Sequence, residues 1–201
     1  MIDTEHFSHV RRMRDGRFPH EIASILPGEY FVSTEPMVVY TVLGSCIAAC
    51  IRDPIVGVGG MNHFMLPEPN ERDGQAWGEP TRYGSFAMES LINGIVTRGG
   101  IKRRLEIKLF GGGRIYEGKF DVGAHNAAWV TQYLKSEGLT VVKADLGDVF
   151  PRKVYYFTES GRVLMKKLER LKNRTIVERE HEYGARIKQR EQRAVEDVTL
   201  F

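Results

Sequence analysis

The sequence predicts a single α/β domain, and three observations carry that reading. Hydrophobic residues make up 42% and charged residues 27% of 201 positions with only 8 prolines, a composition that supports a packed core. Short β-branched and aromatic runs alternate with two segments of helical period. Glycine, proline, asparagine and aspartate punctuate the boundaries between them.

In chain order, residues 1–27 lack a sustained apolar period, and His6, His9, Arg11, Arg12, Arg14 and Arg17 predict an arm outside the core. Glu29-Tyr30-Phe31-Val32 and Met37-Val38-Val39-Tyr40, split by Pro36, predict two strands. Cys46 to Ile51 and Val58 to Leu66 are small and apolar, and Arg52-Asp53-Pro54-Ile55-Val56-Gly57 between them predicts a β-hairpin. Pro80 to Val96 places Tyr83, Phe86, Ala87, Leu91, Ile92 and Ile95 on helical spacing, with Gly99-Gly100 as its stop. Leu105 to Phe110 alternates as a strand into Gly111-Gly112-Gly113, a second helix follows over Ala124 to Lys135, and Thr140 to Ala144 is a further strand. Val154 to Phe157 and Arg162 to Met165 flank Glu159-Ser160-Gly161 as a second hairpin. The body of the domain is thus expected over 28–167. The charged segment 168–201 is expected as an exposed helical extension or a mobile tail, with a partner-docking helix as its functional alternative. Removing Leu171 to Phe201 would then leave turnover of a short substrate intact.

A formal charge of +3, with basic residues dispersed among acidic ones, argues against nucleic acid as a partner. No apolar stretch reaches bilayer length and Met1 to His20 lacks the apolar centre of a signal peptide, so no membrane insertion and a cytoplasmic location are expected. Cys46 and Cys50 are then expected to be reduced thiols.

The first hairpin holds the chemistry. With its turn centred between Pro54 and Ile55, antiparallel pairing sets Arg52 opposite Gly57, Ile51 opposite Val58, and Cys46 opposite His63. Opposed residues share a face of the sheet, so thiol and imidazole can meet. An imidazole beside a thiol can take its proton or hold a thiolate, which makes the sulfur a nucleophile. Leu43-Gly44-Ser45-Cys46 is a glycine turn whose backbone N–H groups can face a developing oxyanion. Gly59 and Gly60 let another backbone approach. Thr41 is a candidate to orient the imidazole, whereas Ser45 and Asn62 are expected to point to the other face.

Other readings of the same residues stand beside this one. A cysteine among alanines also fits core filling, and a histidine near methionine and phenylalanine also fits a packed core residue. Cys46, Cys50 and His63 on one face could also bind a metal, without a fourth ligand at a familiar spacing. Gly111-Gly112-Gly113 has neither dinucleotide-binding nor Walker spacing and is read as a tight turn near the site. His125 and Asn126, at a helix start, are read as capping residues.

Leu43-Gly44-Ser45-Cys46, Arg52-Asp53-Pro54 and Gly59-Gly60-Met61-Asn62-His63-Phe64-Met65-Leu66-Pro67 together resemble the CheD proteins of bacterial chemotaxis. Lys108-Leu109-Phe110-Gly111-Gly112-Gly113, Gly123-Ala124-His125-Asn126, Ala144-Asp145-Leu146-Gly147 and Ser160-Gly161-Arg162 extend the similarity from about Gly28 to Lys167. The resemblance implies a compact sandwich of β-sheet packed with helices, like the catalytic domain of deamidating bacterial toxins. It implies deamidation of glutamine side chains in methyl-accepting chemotaxis receptors, with Cys46, His63 and a threonine, here Thr41, as catalytic residues and no cofactor or metal. It also implies, as a function of another class, a docking adaptor for a CheC-type phosphatase.

Overall fold

The computed structural model describes residues 7–67, 79–115, 120–169 and 174–196. Ten strands form two five-stranded sheets. The first, in the order β1 (Arg11–Met13), β2 (Ile22–Ser24), β4 (Val38–Leu43), β9 (Arg152–Phe157) and β10 (Val163–Lys167), lies against the second, in the order β3 (Tyr30–Ser33), β6 (Val58–Asn62), β5 (Ile47–Asp53), β7 (Glu106–Gly111) and β8 (Val141–Leu146). The two runs split by Pro36 therefore enter different sheets. Between β6 and β7 runs α1 (Glu79–Val96), between β7 and β8 runs α2 (Val122–Ser136), and after β10 comes α3 (Arg174–Glu196).

One core joins the layers. Val39, Leu43, Val154 and Tyr156 of the first sheet pack with Ile47, Ile51, Ile107 and Leu109 of the second and with Leu91, Ile95 and Val130 of α1 and α2. Sheet and helices cover β5 on both faces, which is why Ile47 to Ile51 is an unbroken buried run rather than an alternating one. The α/β sandwich expected from the resemblance is the fold observed.

Two expectations are corrected. Of the expected arm over 1–27, residues 1–6 lie outside the described residues and residues 7–27 belong to the core: β1 pairs with β2, β2 pairs in parallel with β4, and Phe7, Val10, Ala23 and Ile25 are buried in the main core. They do this without any period: β1 has no fully buried residue and β2 buries only Ile22 and Ala23, so strands this short leave no alternation in the sequence.

The first hairpin forms, but its register is displaced by two residues. Asp53 pairs with Val58, Ile51 with Gly60 and Cys50 with Met61, around a four-residue loop, 54–57, whose centre lies one residue later than expected. The loop closes through Gly57 N–H to the Asp53 carbonyl, with Gly57 at φ 72°, while Asp53 Oδ1 accepts from Ile55 N. A left-handed glycine at the last loop position sets this turn. The Ile47–Phe64 bridge continues that register, so His63 does not sit directly opposite Cys46. A displacement by two keeps both residues on one face and makes the pair diagonal.

Candidate active site

Cys46 sits between β4 and β5, and His63 follows β6. Both are buried, at 0% and 2% exposure. The backbone of His63 is held by an extension of the sheet, accepting from Gly28 N at 2.7 Å and donating to the Glu29 carbonyl at 2.9 Å.

Thr41, on β4, reaches the ring from the other sheet. Its hydroxyl lies 2.8 Å from His63 Nδ1 and 2.8 Å from the Ile25 carbonyl. A carbonyl can only accept, so the single hydroxyl proton goes to Ile25 and the threonine oxygen accepts from Nδ1–H. The imidazole is thereby fixed as the tautomer with its lone pair on Nε2. That nitrogen is buried and has no hydrogen-bond partner among the described residues.

A third group, one that the sequence did not single out, completes the cluster. Cys46 Sγ, a His63 ring nitrogen and a carboxylate oxygen of Glu180 lie within 4.8 Å of one another. Glu180 belongs to α3, within the segment expected to be solvated, yet it is only 2% exposed. Its Oε1 accepts from Gly44 N at 2.7 Å and from Cys46 N at 3.3 Å. Its Oε2 accepts from Ser45 N at 2.9 Å and Ser45 Oγ at 2.6 Å. Three consecutive backbone N–H groups thus converge on one carboxylate, forming the anion-binding nest that the glycine turn predicts. Gly44 is required for this approach: a Cβ there would lie 2.9 Å from Glu180 Oε1 and collide with Ile115 Cδ1.

Burial, and then the charge of Glu180, push the Cys46 thiol well above its ordinary range. Burial lowers His63 to about 4, against a smaller upward pull from Glu180. Near neutral pH these shifts leave a neutral thiol beside a neutral imidazole.

The metal reading through Cys46, Cys50 and His63 is not the grouping observed: the potential donors that lie together are Cys46, His63 and Glu180. Cys50 is not part of the cluster among the described residues. Glu180 already accepts hydrogen bonds from the backbone of Gly44, Ser45 and Cys46 and from the Ser45 hydroxyl.

Several polar residues have roles other than those expected. Asp121, not His125 or Asn126, caps α2 by accepting from Ala124 N. Asn126 is fully buried and clamps the site: its Nδ2 donates to the Ser45 carbonyl at 2.9 Å and its Oδ1 accepts from Leu66 N at 2.9 Å. Ser45 reaches Glu180 with its hydroxyl instead of pointing away from the site. Asn62 does turn away, accepting from Ala49 N and donating to the Ala87 carbonyl of α1. Gly111-Gly112-Gly113 is the tight turn beside the site, since Gly112 N donates to the Cys46 carbonyl and Gly113 N to the Gly44 carbonyl. Gly111 at φ 116° and Gly112 at φ 66° make that turn possible.

Residues 65–167 match the family described as CheD chemotactic sensory transduction. The chain is 50% identical over 176 residues to a protein of Thiobacillus denitrificans, 49% identical over 177 residues to one of Methylobacillus flagellatus, and 47% identical over 199 residues to one of Halorhodospira halophila. These alignments cover 87%, 87% and 97% of this chain and 87%, 87% and 91% of the relatives. Each relative bears the name "Probable chemoreceptor glutamine deamidase CheD".

Proposed function

The chain belongs to the CheD family, and on that premise we propose that it is a protein-glutamine deamidase acting on chemoreceptor glutamines, with Cys46 as nucleophile, His63 as base and Thr41 as the group that orients His63. The family relatives' names support the reaction and its substrate class. One observation supports the residue roles above all others: a thiol and an imidazole fixed by Thr41 lie beside three N–H groups that converge on a carboxylate.

In this reading Cys46 Sγ attacks the carboxamide carbon while its proton passes to His63 Nε2. The oxygen of the tetrahedral species takes the N–H groups of Gly44, Ser45 and Cys46. Collapse breaks the C–N bond, and the imidazolium gives its proton to the leaving nitrogen, which departs as ammonia. Water, deprotonated by Nε2, then attacks the thioester, and glutamate leaves as the thiol is restored. Each step uses the neutral imidazole or its conjugate acid, and none calls for a cofactor. A cytoplasmic setting, with Cys46 and Cys50 as the free thiols they are here, belongs to the same proposal. Among the described residues no helix is long and apolar enough to cross a membrane.

Docking to a CheC-type phosphatase is compatible with this activity but requires neither the fixed imidazole nor the nest. The test is ammonia release with amide-to-acid conversion on glutamine-bearing receptor fragments. Wild type is expected to be active, and Cys46→Ala and His63→Ala, still folded, are expected to be inactive. A wild type without activity on intact receptor overturns the deamidase reading.

A further inference from the structure

The deamidase product is a glutamate side chain, and a glutamate side chain of this same protein lies in the site. We propose that α3 is a built-in product mimic: Glu180 occupies the seat of the substrate glutamine, and the helix around it closes the site until it is displaced. This rests on the deamidase reading and adds the regulation of that site and the form in which it takes its substrate.

The geometry distinguishes this from a helix resting on a surface. In a solvated helix a glutamate faces water, because burying a carboxylate without partners is costly. Here Glu180 is 2% exposed while its sequence neighbours Arg179 and His181 are exposed. Its oxygens take the donors on which an amide or tetrahedral oxygen would rely, and they lie within reach of Cys46 and His63. With those donors filled, no carboxamide can enter. Glu180 therefore does not assist the reaction from the side, because it stands where the reaction occurs.

The rest of the helix is built to hold it there. Ile176, Glu180, Tyr183 and Ile187 follow one another at spacings of four, three and four, a single stripe on one face of α3. Ile187 is buried, and the Tyr183 ring packs so closely on Gly28 that a Cβ there would lie 2.7 Å from it. Gly28 N is also the donor to the His63 carbonyl, so the seat of Tyr183 adjoins the backbone that positions the imidazole. Beyond Tyr183 and Ile187 a groove continues along Pro27, Tyr30, Tyr83 and Phe86. The seat thus accepts an α-helix that presents the reactive side chain, with apolar contacts four residues before it and three and seven residues after it.

The experiment uses the full chain in a Cys50→Ala background, so that Cys46 is the one thiol to be alkylated. Alkylation of Cys46 by iodoacetamide and turnover of a glutamine-bearing chemoreceptor fragment are measured for wild type, Glu180→Ala and Tyr183→Asp. Both substitutions are expected to raise both rates by about tenfold or more, the effect of moving a site from mostly closed to mostly open. Alkylation unchanged in both variants overturns the proposal whatever the turnover. Turnover absent from every variant while alkylation rises overturns the deamidase reading instead, so the two failures are told apart. Glu180→Gln supplies an internal check, since it puts a carboxamide in the seat. With Cys46 present, attack, loss of ammonia and thioester hydrolysis should return an acid at position 180, seen by peptide mass. In Glu180→Gln/Cys46→Ala the amide should persist. An amide that persists in a chain able to deamidate the receptor fragment also overturns the proposal.

Discussion

Thr41 Oγ1 accepts a hydrogen bond from His63 Nδ1 at 2.8 Å while donating to the Ile25 carbonyl at 2.8 Å, and this pair of contacts decides which imidazole nitrogen keeps its lone pair. Thr41→Val keeps the shape and removes the oxygen. The imidazole then loses its fixed tautomer, and a buried N–H and a buried carbonyl are left without partners. We expect kcat to fall by about a hundredfold, the worth of a well-placed general base, with a stability loss of about 2 kcal/mol from the unsatisfied groups. Thr41→Ser should retain most of the activity. Kinetics together with the imidazole nitrogen shifts by NMR check this, since a purely structural threonine would leave the tautomer unchanged.

His63 also makes a prediction about stability against pH. Its ordinary value of 6.5 is lowered to about 4 in the folded protein by burial. Above pH 6.5 the ring is neutral in folded and unfolded chains alike and makes no difference. As pH falls from 6.5 toward 4, the unfolded chain binds a proton that the folded site refuses, so stability decreases through that window. The loss approaches about 3 kcal/mol once both forms are protonated. Denaturant unfolding of wild type and His63→Gln between pH 7 and about 4 should show the steeper decline in wild type; parallel curves would mean that the imidazole is protonated in the fold.

The two thiols should separate cleanly. Cys50 lies on β5, paired with Met61 and Lys108, and its thiol is raised by burial, with no imidazole grouped with it among the described residues. Cys50→Ala removes a small buried sulfur and should cost about 1 kcal/mol while turnover stays within about twofold of wild type. Urea unfolding and ammonia release on the receptor fragment measure both quantities. A large loss of turnover with unchanged stability would give Cys50 a part in the chemistry that its position does not.

Much of the site was legible because hairpin geometry constrains it tightly. An even displacement of register, set by Gly57 at the end of a four-residue loop, cannot separate Cys46 from His63 onto different faces. The expected pairing was therefore wrong in detail, and the shared face survived. Thr41 was legible only as a nearby hydroxyl, since its contact with His63 depends on how the two sheets pack. Residues 11–24 were missed because Arg11-Arg12-Met13 reads as charge, and its strand pairing depends on β4, which is distant in sequence from the first strand. Glu180 was the hardest to foresee. It sits in Glu178-Arg179-Glu180-His181-Glu182, where nothing local distinguishes one carboxylate from the next. Only the spacing of Ile176, Tyr183 and Ile187 marks its face, and three apolar residues in a charged helix are a weak signal.

Asn126 provides the last prediction, as a positioning residue rather than a catalytic one. One buried amide donates to the Ser45 carbonyl on the nucleophile's turn and accepts from Leu66 N beyond His63, so α2 fixes the distance between the two halves of the site. Asn126→Ala leaves a buried carbonyl and a buried N–H without partners, for a stability loss of about 2 kcal/mol. The nest loses its support at Ser45, so kcat should fall by about tenfold or more, with KM nearly unchanged because Asn126 does not reach the substrate. Asn126→Asp keeps the acceptor for Leu66 N and loses the donor to Ser45, so it should recover part of the stability and little of kcat. A variant that loses stability but keeps full kcat would show that α2 supports the fold without setting the geometry of the nest.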